Sequence, residues 1–359
     1  MTAPTAESEL GPGLLSHLRI ALESPNLSYA EPLARISGGF DTLIYGFRLS
    51  DAPSHASGPL ILRVFRDYNP WITLTGQERA RFETAVQNAI ADLRYPAPRV
   101  LHYCADAAVL GAPFLAMERL PGRIMLDLLF RPAPLLARLP DLMAESQAAL
   151  HALDPAPLLR AIERESIPAR VLTVDDWMAQ VTRLIEAAQL EGLKPGMNWL
   201  FENRPAVPEH PVICHGDFHP LNLLIRGGKI SGVIDWPWVR IADAAYDIGA
   251  TVAIFTQGPV SLPRFLQSVV NWGRRLFIAR YLRSYGRLRP LDMDAVRYYE
   301  ALRAIGFLLE AGQQRQADAG VIKRPEKPTA FGTQPIVDSV TSRFERITRV
   351  AVSIPARSK

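Results

Sequence analysis

Only two of the 359 residues are cysteine, Cys104 and Cys214, and they lie far apart in the chain. That excludes a disulfide framework and a paired-cysteine zinc pattern, and it suits a reducing cytoplasm. Long apolar runs are missing too. Nowhere do eighteen apolar residues follow one another without a charge, so no membrane-spanning helix is expected. The opening stretch MTAPTAESELGPGLL has neither the basic nor the apolar region of a secretory signal. Basic residues do not cluster with interleaved aromatics, and the net charge is only +4, so a nucleic-acid partner is not expected either. Lysine is scarce: five stand against thirty-five arginines, and the first is Lys194. Any cation needed in the first half of the chain must therefore be arginine.

What is present is an ordinary globular composition, 48% hydrophobic and 21% charged. The length allows two domains or one large bilobal one. Residues 1–30 read as a helical extension. From 31 to 119 the text is strand-like: "LARISGGFDTLIYGFRLS" gives strand, Gly-Gly turn and strand, and "GPLILRVFR" a third strand. Thr75-Gly76-Gln77-Glu78 resembles a capping box. It opens a helix whose apolar residues Phe82, Val86, Ala89, Ile90 and Leu93 recur at helical spacing. "YPAPRVLHYC" and "APFLAMERL" give two more strands. After Leu120-Pro121-Gly122 the pattern turns helical, with long stretches at 134–153, 174–191, 261–285 and 292–313 and a final helix near 337–350. Residues 314–336 read as a loop, and only 212–235 is strand-like in this half.

That strand-like segment carries the chemistry. "ICHGDFHPLNLLI" (residues 213–225) holds two histidines, an aspartate and an asparagine between two β-prone runs. Polar side chains held between buried strands are usually displayed for binding or catalysis. Asp217 and Asn222 are five residues apart, and Asp235 follows thirteen residues after Asn222. The first spacing is that of the H-x-D-x-x-x-x-N kinase catalytic loop, and Asp235 occupies the place of the aspartate in D-F-G. Phosphoryl transfer needs positioning and charge neutralisation more than covalent help. One carboxylate, Asp217, can orient and deprotonate an attacking hydroxyl. A second, Asp235, with the amide oxygen of Asn222, can hold Mg²⁺ with hard oxygen ligands. His215 reads as a brace for the loop, and His219 either as a brace or as a residue orienting Asp217. A transition-metal site made of the two histidines and two aspartates is the competing reading; it leaves Asn222 unexplained.

The combination of His215-Gly216-Asp217-x-His219-Pro220-x-Asn222, then Ile234-Asp235-Trp236, then Asp243-Ala244-Ala245-Tyr246-Asp247 resembles the aminoglycoside phosphotransferase family of small-molecule kinases. The resemblance spans roughly residues 31–315, with Ala244 where the family commonly has proline. It implies an α+β, bilobal, protein-kinase-like fold: a small antiparallel sheet lobe with one main helix (31–119) and a larger, mostly helical lobe (120–359). It implies ATP, with GTP possible, and Mg²⁺ as cofactors. It also implies that Asp243 and Asp247 tie the following helix to the catalytic loop, and that a hydroxyl of a small molecule is the acceptor.

A kinase reading makes four demands upstream. A glycine loop must let main-chain amides approach phosphates, and Gly38-Gly39 sits between two strands. The third strand must carry a cation, and Arg63 is the only basic residue inside its apolar run, on one face with Ile61 and Phe65. A helix must hold that cation; Glu83 is favoured over Glu78, which is better placed to cap. The adenine edge needs main-chain partners at the lobe junction, where the resemblance implies the Glu118 carbonyl, the Leu120 amide and Met117 as pocket lining. The acceptor is not legible. Asp175, Asp176, Glu202 and Glu310 could meet a polyamine, and Trp177, Trp199 and Trp272 could wall a bulky alcohol. A nucleotide-binding pseudokinase serving as a regulatory or scaffold module is the alternative to an enzyme.

Overall fold

A computed structural model describes residues 7–36, 42–65, 74–129, 134–258, 264–323 and 329–357. The first lobe contains α1 (Glu7–Ala21), β1 (Ser28–Arg35), β2 (Thr42–Ser50), β3 (Pro59–Phe65), α2 (Gly76–Asp92), β4 (Val100–Cys104) and β5 (Phe114–Glu118). Its five strands form one antiparallel sheet in the order β1-β2-β3-β5-β4. Six of the seven residues of β3 are buried, because both faces of the sheet are covered. On one face Leu60, Leu62 and Val64 pack with Leu10, Leu14 and Leu18 of α1. The expected N-terminal extension is thus part of this lobe's core. On the other face Phe65 and Leu115 meet Ala80 of α2. The capping box read at Thr75 is present: its hydroxyl accepts from the Glu78 N–H, and the Glu78 carboxylate accepts from the Thr75 N–H.

The second lobe starts with β6 (Arg123–Ile124), α3 (Met125–Leu129), α4 (Leu139–Leu150), α5 (Ala156–Arg164), α6 (Val174–Ala187) and α7 (Lys194–Glu202). It continues through β7 (Val212–Cys214), β8 (Leu223–Arg226), β9 (Lys229–Val233) and β10 (Arg240–Ala242). Four helices close it: α8 (Ala244–Gln257), α9 (Arg264–Leu288), α10 (Met293–Asp318) and α11 (Gln334–Thr348). The order of elements makes this a bilobal, kinase-like α+β fold. Among the described residues, no helix is long and apolar enough to cross a membrane.

Several elements differ from the sequence reading. The stretch expected as one helix from 134 opens as a 3₁₀ turn, Pro134–Arg138, before α4. Helix α10 runs on to Asp318, into the expected loop. Two short strands, β6 and β10, pair with β8 and β7; at two and three residues they are too brief to show a period. Helices α5 and α7 were unread because each has proline in its first turn, which looks like a break but removes only an N–H with no helical partner. In α7 the adjacent Gly196 also reads as a turn. Its reason is packing: a Cβ there would lie 2.8 Å from side-chain carbons of Ile305 and Val352.

The hairpin that carries Asp217 hangs on α8. Asp247, fully buried, accepts from the His215 N–H at 3.0 Å and from the Gly216 N–H at 2.7 Å. Its Oδ2 is also 3.1 Å from His151 Nε2, and the other ring nitrogen of His151 meets the Tyr285 hydroxyl at 2.7 Å. Burial opposes ionisation of Asp247, but the hydrogen bond and charge of His151 outweigh it and hold the carboxyl below its usual range. Thr251, one turn further along α8, donates to the Phe218 carbonyl at 2.9 Å. Asp247 therefore ties helix to loop as expected, whereas Asp243 caps its own helix by accepting from the Ala245 N–H.

Replacing Asp247 by alanine orphans two buried main-chain donors and a buried imidazole. We expect a loss of about 3 kcal/mol or more in urea denaturation. A loss below about 1 kcal/mol would contradict the anchoring role.

Candidate active site

The loop between β7 and β8 places Asp217, His219 and Asn222 on one concave turn. Gly216 makes the turn possible: its φ is +79°, and a Cβ would stand 2.3 Å from the Trp238 carbonyl oxygen. His215 is buried and spans the two halves of the hairpin. Its Nδ1 accepts from the Asp217 N–H at 3.2 Å, and its Nε2 donates to the Ile234 carbonyl at 3.1 Å. Burial, against the nearby Asp247 charge, pushes the imidazole pKa down, so the ring is neutral. With both nitrogens engaged inside the loop, His215 has no atom left for a metal, and the transition-metal reading loses a ligand.

Asp217 is held from three sides. His219 Nε2 lies 3.2 Å from its Oδ2, Asn222 Nδ2 donates to the same oxygen at 3.2 Å, and Arg303 of α10 donates to Oδ1 at 2.9 Å. Burial would raise the Asp217 pKa, but the charge and hydrogen bond of His219 and the charge of Arg303 hold it well below the usual carboxylate range. The carboxylate is thus ionised and fixed, as an oriented proton acceptor must be. The Asn222 amide nitrogen also donates to the Asp217 carbonyl at 2.9 Å, which turns the amide oxygen away from Asp217. The Asn222 carbonyl in turn accepts from the Ile234 N–H at 3.0 Å, so Asp235 follows directly beside it. Asp235 sits at φ +70°, in the left-handed region. A non-glycine residue there costs about 1–2 kcal/mol, and such strain concentrates where a side chain must be aimed.

Across the lobe junction, Arg63 on β3 reaches Glu83, as expected, and also Asp235, which the sequence reading assigns to a metal. Its Nη1 is 2.9 Å from Glu83 Oε2 and its Nη2 is 3.0 Å from Asp235 Oδ1. The Glu83 contact is an ion pair without aligned hydrogen-bond geometry at Oε2; its other oxygen accepts from Arg79 Nε at 2.8 Å. Glu83 is fully buried between the two guanidiniums, and both guanidiniums lie over the Phe65 ring. Arg63, Arg79 and Glu83 are buried, and the part-exposed Asp235 supplies the second carboxylate that balances the two cations. Arg79 was missed in the sequence, although its spacing of four from Glu83 on a helix was a usable signal.

At the junction Met117, one residue before the end of β5, pairs with Val100 and packs against the cluster that holds Phe65 and Leu115. Glu118 donates its N–H to the Arg99 carbonyl at 2.9 Å, while its carboxylate accepts from the Arg99 N–H at 3.3 Å. Leu120 crosses to the second lobe and lies against Gly232 of β9. Gly38 and Gly39 fall outside the described residues.

Most of the acceptor candidates are engaged by other groups, and of the carboxylates Glu310 is the one close enough to feel the Asp217 and Arg303 charges. Asp175 is paired with Arg204, and Asp176 with Arg170 at 2.5 Å. Glu310 accepts from Thr329 at 2.9 Å, with burial raising its pKa, and Glu202 is exposed at the end of α7. Trp177 is buried against Trp238, Trp199 lies beside Tyr298, and Trp272 is 64% exposed on α9. These three tryptophans form no common wall. Arg303, unread in the sequence, is the side chain that does reach the site. Its one signal was a charge inside the apolar run "ALRAIGFLLE".

The bilobal architecture and the hairpin between the lobes are those of a kinase-like fold. The family model for the phosphotransferase enzyme family, APH, matches residues 33–299, and the chain belongs to that family. It is 31% identical over 216 residues to an aminoglycoside 3'-phosphotransferase of Niallia circulans, covering 58% of this chain and 72% of that one. It is 26% identical over 208 residues to acyl-CoA dehydrogenase family member 11 of Mus musculus; the match takes in 56% of this chain but only 26% of that much longer protein. In fold it is similar to a putative aminoglycoside phosphotransferase of Ralstonia eutropha, at a TM-score of 0.65 and 15% identity, covering 94% of this chain and 98% of that one.

Two measurements check the geometry. Glu83→Gln leaves two buried guanidiniums short of a counter-charge and should cost about 3 kcal/mol in chemical denaturation; a neutral result would contradict the cluster. His219→Ala removes a donor and a charge that favour the Asp217 carboxylate, so its pKa should rise toward about 4 in a carbon-detected NMR titration. The sign follows from linkage: the stability tied to this depressed pKa is present above about pH 4 and is lost as pH falls. An unchanged titration would contradict the assigned contact.

Proposed function

We propose that this phosphotransferase moves the γ-phosphoryl group of ATP or GTP to a hydroxyl of a small molecule. The observation that carries the reading is the convergence of Asp217, Asn222 and Asp235 on one hairpin, with Arg63 joining Asp235 to the buried Glu83. Asp217, ionised and held by His219, orients the acceptor hydroxyl and takes its proton as the new bond forms. Arg63 offers a planar fork with several donors, suited to phosphate oxygens, and Glu83 fixes it in place.

The donor set fits Mg²⁺. Asn222 has its amide nitrogen committed to Asp217, which leaves Oδ1 as a neutral hard-oxygen donor. Asp235 shares one oxygen with Arg63, its carboxylate is part-exposed, and it directly follows Ile234, whose N–H meets the Asn222 main-chain carbonyl. When bound there, Mg²⁺ supplies charge neutralisation on the nucleotide phosphates. Gly38 and Gly39 are assigned to the phosphates on family resemblance alone, and Met117, Glu118 and Leu120 to the adenine edge on their place at the lobe junction and on that resemblance. The two unpaired buried cysteines support a cytoplasmic setting.

An acceptor panel with Mg²⁺ and either ATP or GTP, scored by ADP or GDP release, tests the reading. Asp217→Asn should bind nucleotide as the parent does and lose about 10²-fold or more of acceptor-stimulated release. Undiminished release would contradict the assignment of the base. Nucleotide binding without release from any acceptor would favour a regulatory pseudokinase.

A further inference from the structure

Asp217 is paired with a cation from α10. Arg303 sits in the middle of α10, with a side chain only 19% exposed, and its Nη2 holds Asp217 Oδ1 at 2.9 Å. The guanidinium lies 5.2 Å from the centroid of Phe307, one turn on, and Phe307 is itself stacked on Phe331 at 4.0 Å. The group is therefore clamped in one place. Nη2 is its one nitrogen with a hydrogen-bond partner among the described residues, and Nε is buried with none. A guanidinium serving only to steady Asp217 would be expected to have its remaining donors satisfied by the fold, because buried donors rarely go unpaired. Here Nη1, the other arm of the end-on fork, is left without a partner among the described residues while Nη2 holds Asp217.

We propose that Arg303 determines acceptor specificity: the acceptor carries an anionic oxygen group, a carboxylate or a phosphate, a few bonds from the hydroxyl that is phosphorylated. A hydroxyl within about 3 Å of Asp217 lies within about 6 Å of the Arg303 guanidinium, so one small molecule can engage both. Planar bidentate binding of carboxylate and phosphate is what a guanidinium does best. The surroundings disfavour the opposite charge. Asp175 and Asp176 are taken by Arg204 and Arg170, and the one acidic group that feels both Arg303 and Asp217, Glu310, is buried, accepts from Thr329 and has its pKa raised by burial, which weakens it as a partner for an ammonium group. This inference deepens the kinase reading and rests on it for the hydroxyl, but the anion contact can be measured without turnover.

The test is calorimetric binding in the presence of Mg-ADP, using glycerate, glycerol 3-phosphate, uncharged glycerol and choline, followed by product assays with ATP. At least one of the two anions should bind ten-fold or more tightly than glycerol, and choline should bind no better than glycerol. Arg303→Gln should abolish the preference while retaining parental affinity for Mg-ADP, which shows that the variant is folded. Arg303→Lys should restore part of the preference, since it returns the charge without the fork. A preference for glycerate over glycerol 3-phosphate would identify a carboxylate acceptor, and the reverse a phosphate-bearing one. Tighter binding of choline, no preference for either anion, or a preference that survives Arg303→Gln overturns the inference. Arg303-dependent anion binding without phosphorylated product sustains it and counts against the kinase reading alone.

Discussion

A carboxylate that accepts two consecutive main-chain N–H groups in the protein interior fixes the rest of the site. Asp247 cannot move without leaving the His215 and Gly216 amides unpaired, and it cannot become protonated easily while His151 donates to it. The main chain at Gly216 is thereby locked in a conformation a larger residue could not adopt. Asp217 inherits its direction from that lock. His215, neutral and buried, then carries the constraint across to the Ile234 carbonyl and sets where Asp235 begins. One buried ionised group thus positions two others that are exposed enough to work.

The second constraint joins the lobes. Arg63 belongs to the sheet lobe and Asp235 to the helical lobe, and their 3.0 Å contact is backed by fully buried Glu83. A buried charge cluster adds little net stability, but it is intolerant of a missing member. It therefore fixes how the lobes meet at the point where a nucleotide's phosphates would lie. Arginine in this position keeps its charge under any cellular condition, whereas a buried lysine can lose it. The scarcity of lysine in the chain is compatible with that choice and does not explain it.

Much of this was legible because the relevant chemistry is local in sequence. Asp217, Asn222 and Asp235 sit within a nineteen-residue span, and alternation along β3 put Arg63 on the face of Ile61 and Phe65. Glu83 could be preferred over Glu78 because Thr75 and Glu78 form a reciprocal cap, which leaves Glu83 for the interior. Tertiary placement was not legible. Arg303 lies 86 residues from Asp217, and no periodicity says which loop a helix face will meet. The packing of α1 on the sheet was hidden for the same reason: an amphipathic segment announces an apolar face without naming its partner. Helices opening on proline were lost because Pro-Gly text carries one meaning in a loop and another in a first helical turn.

The central claim is that Asn222 and Asp235 form, with Arg63, the metal-dependent phosphate end of a nucleotide site. Titration calorimetry of ATP into the protein, with and without Mg²⁺, tests it most directly when parent and Asp235→Ala are compared. Tighter nucleotide binding with Mg²⁺ in the parent, with that gain lost in Asp235→Ala, is the result expected. Binding that is indifferent to both the ion and the substitution would contradict it.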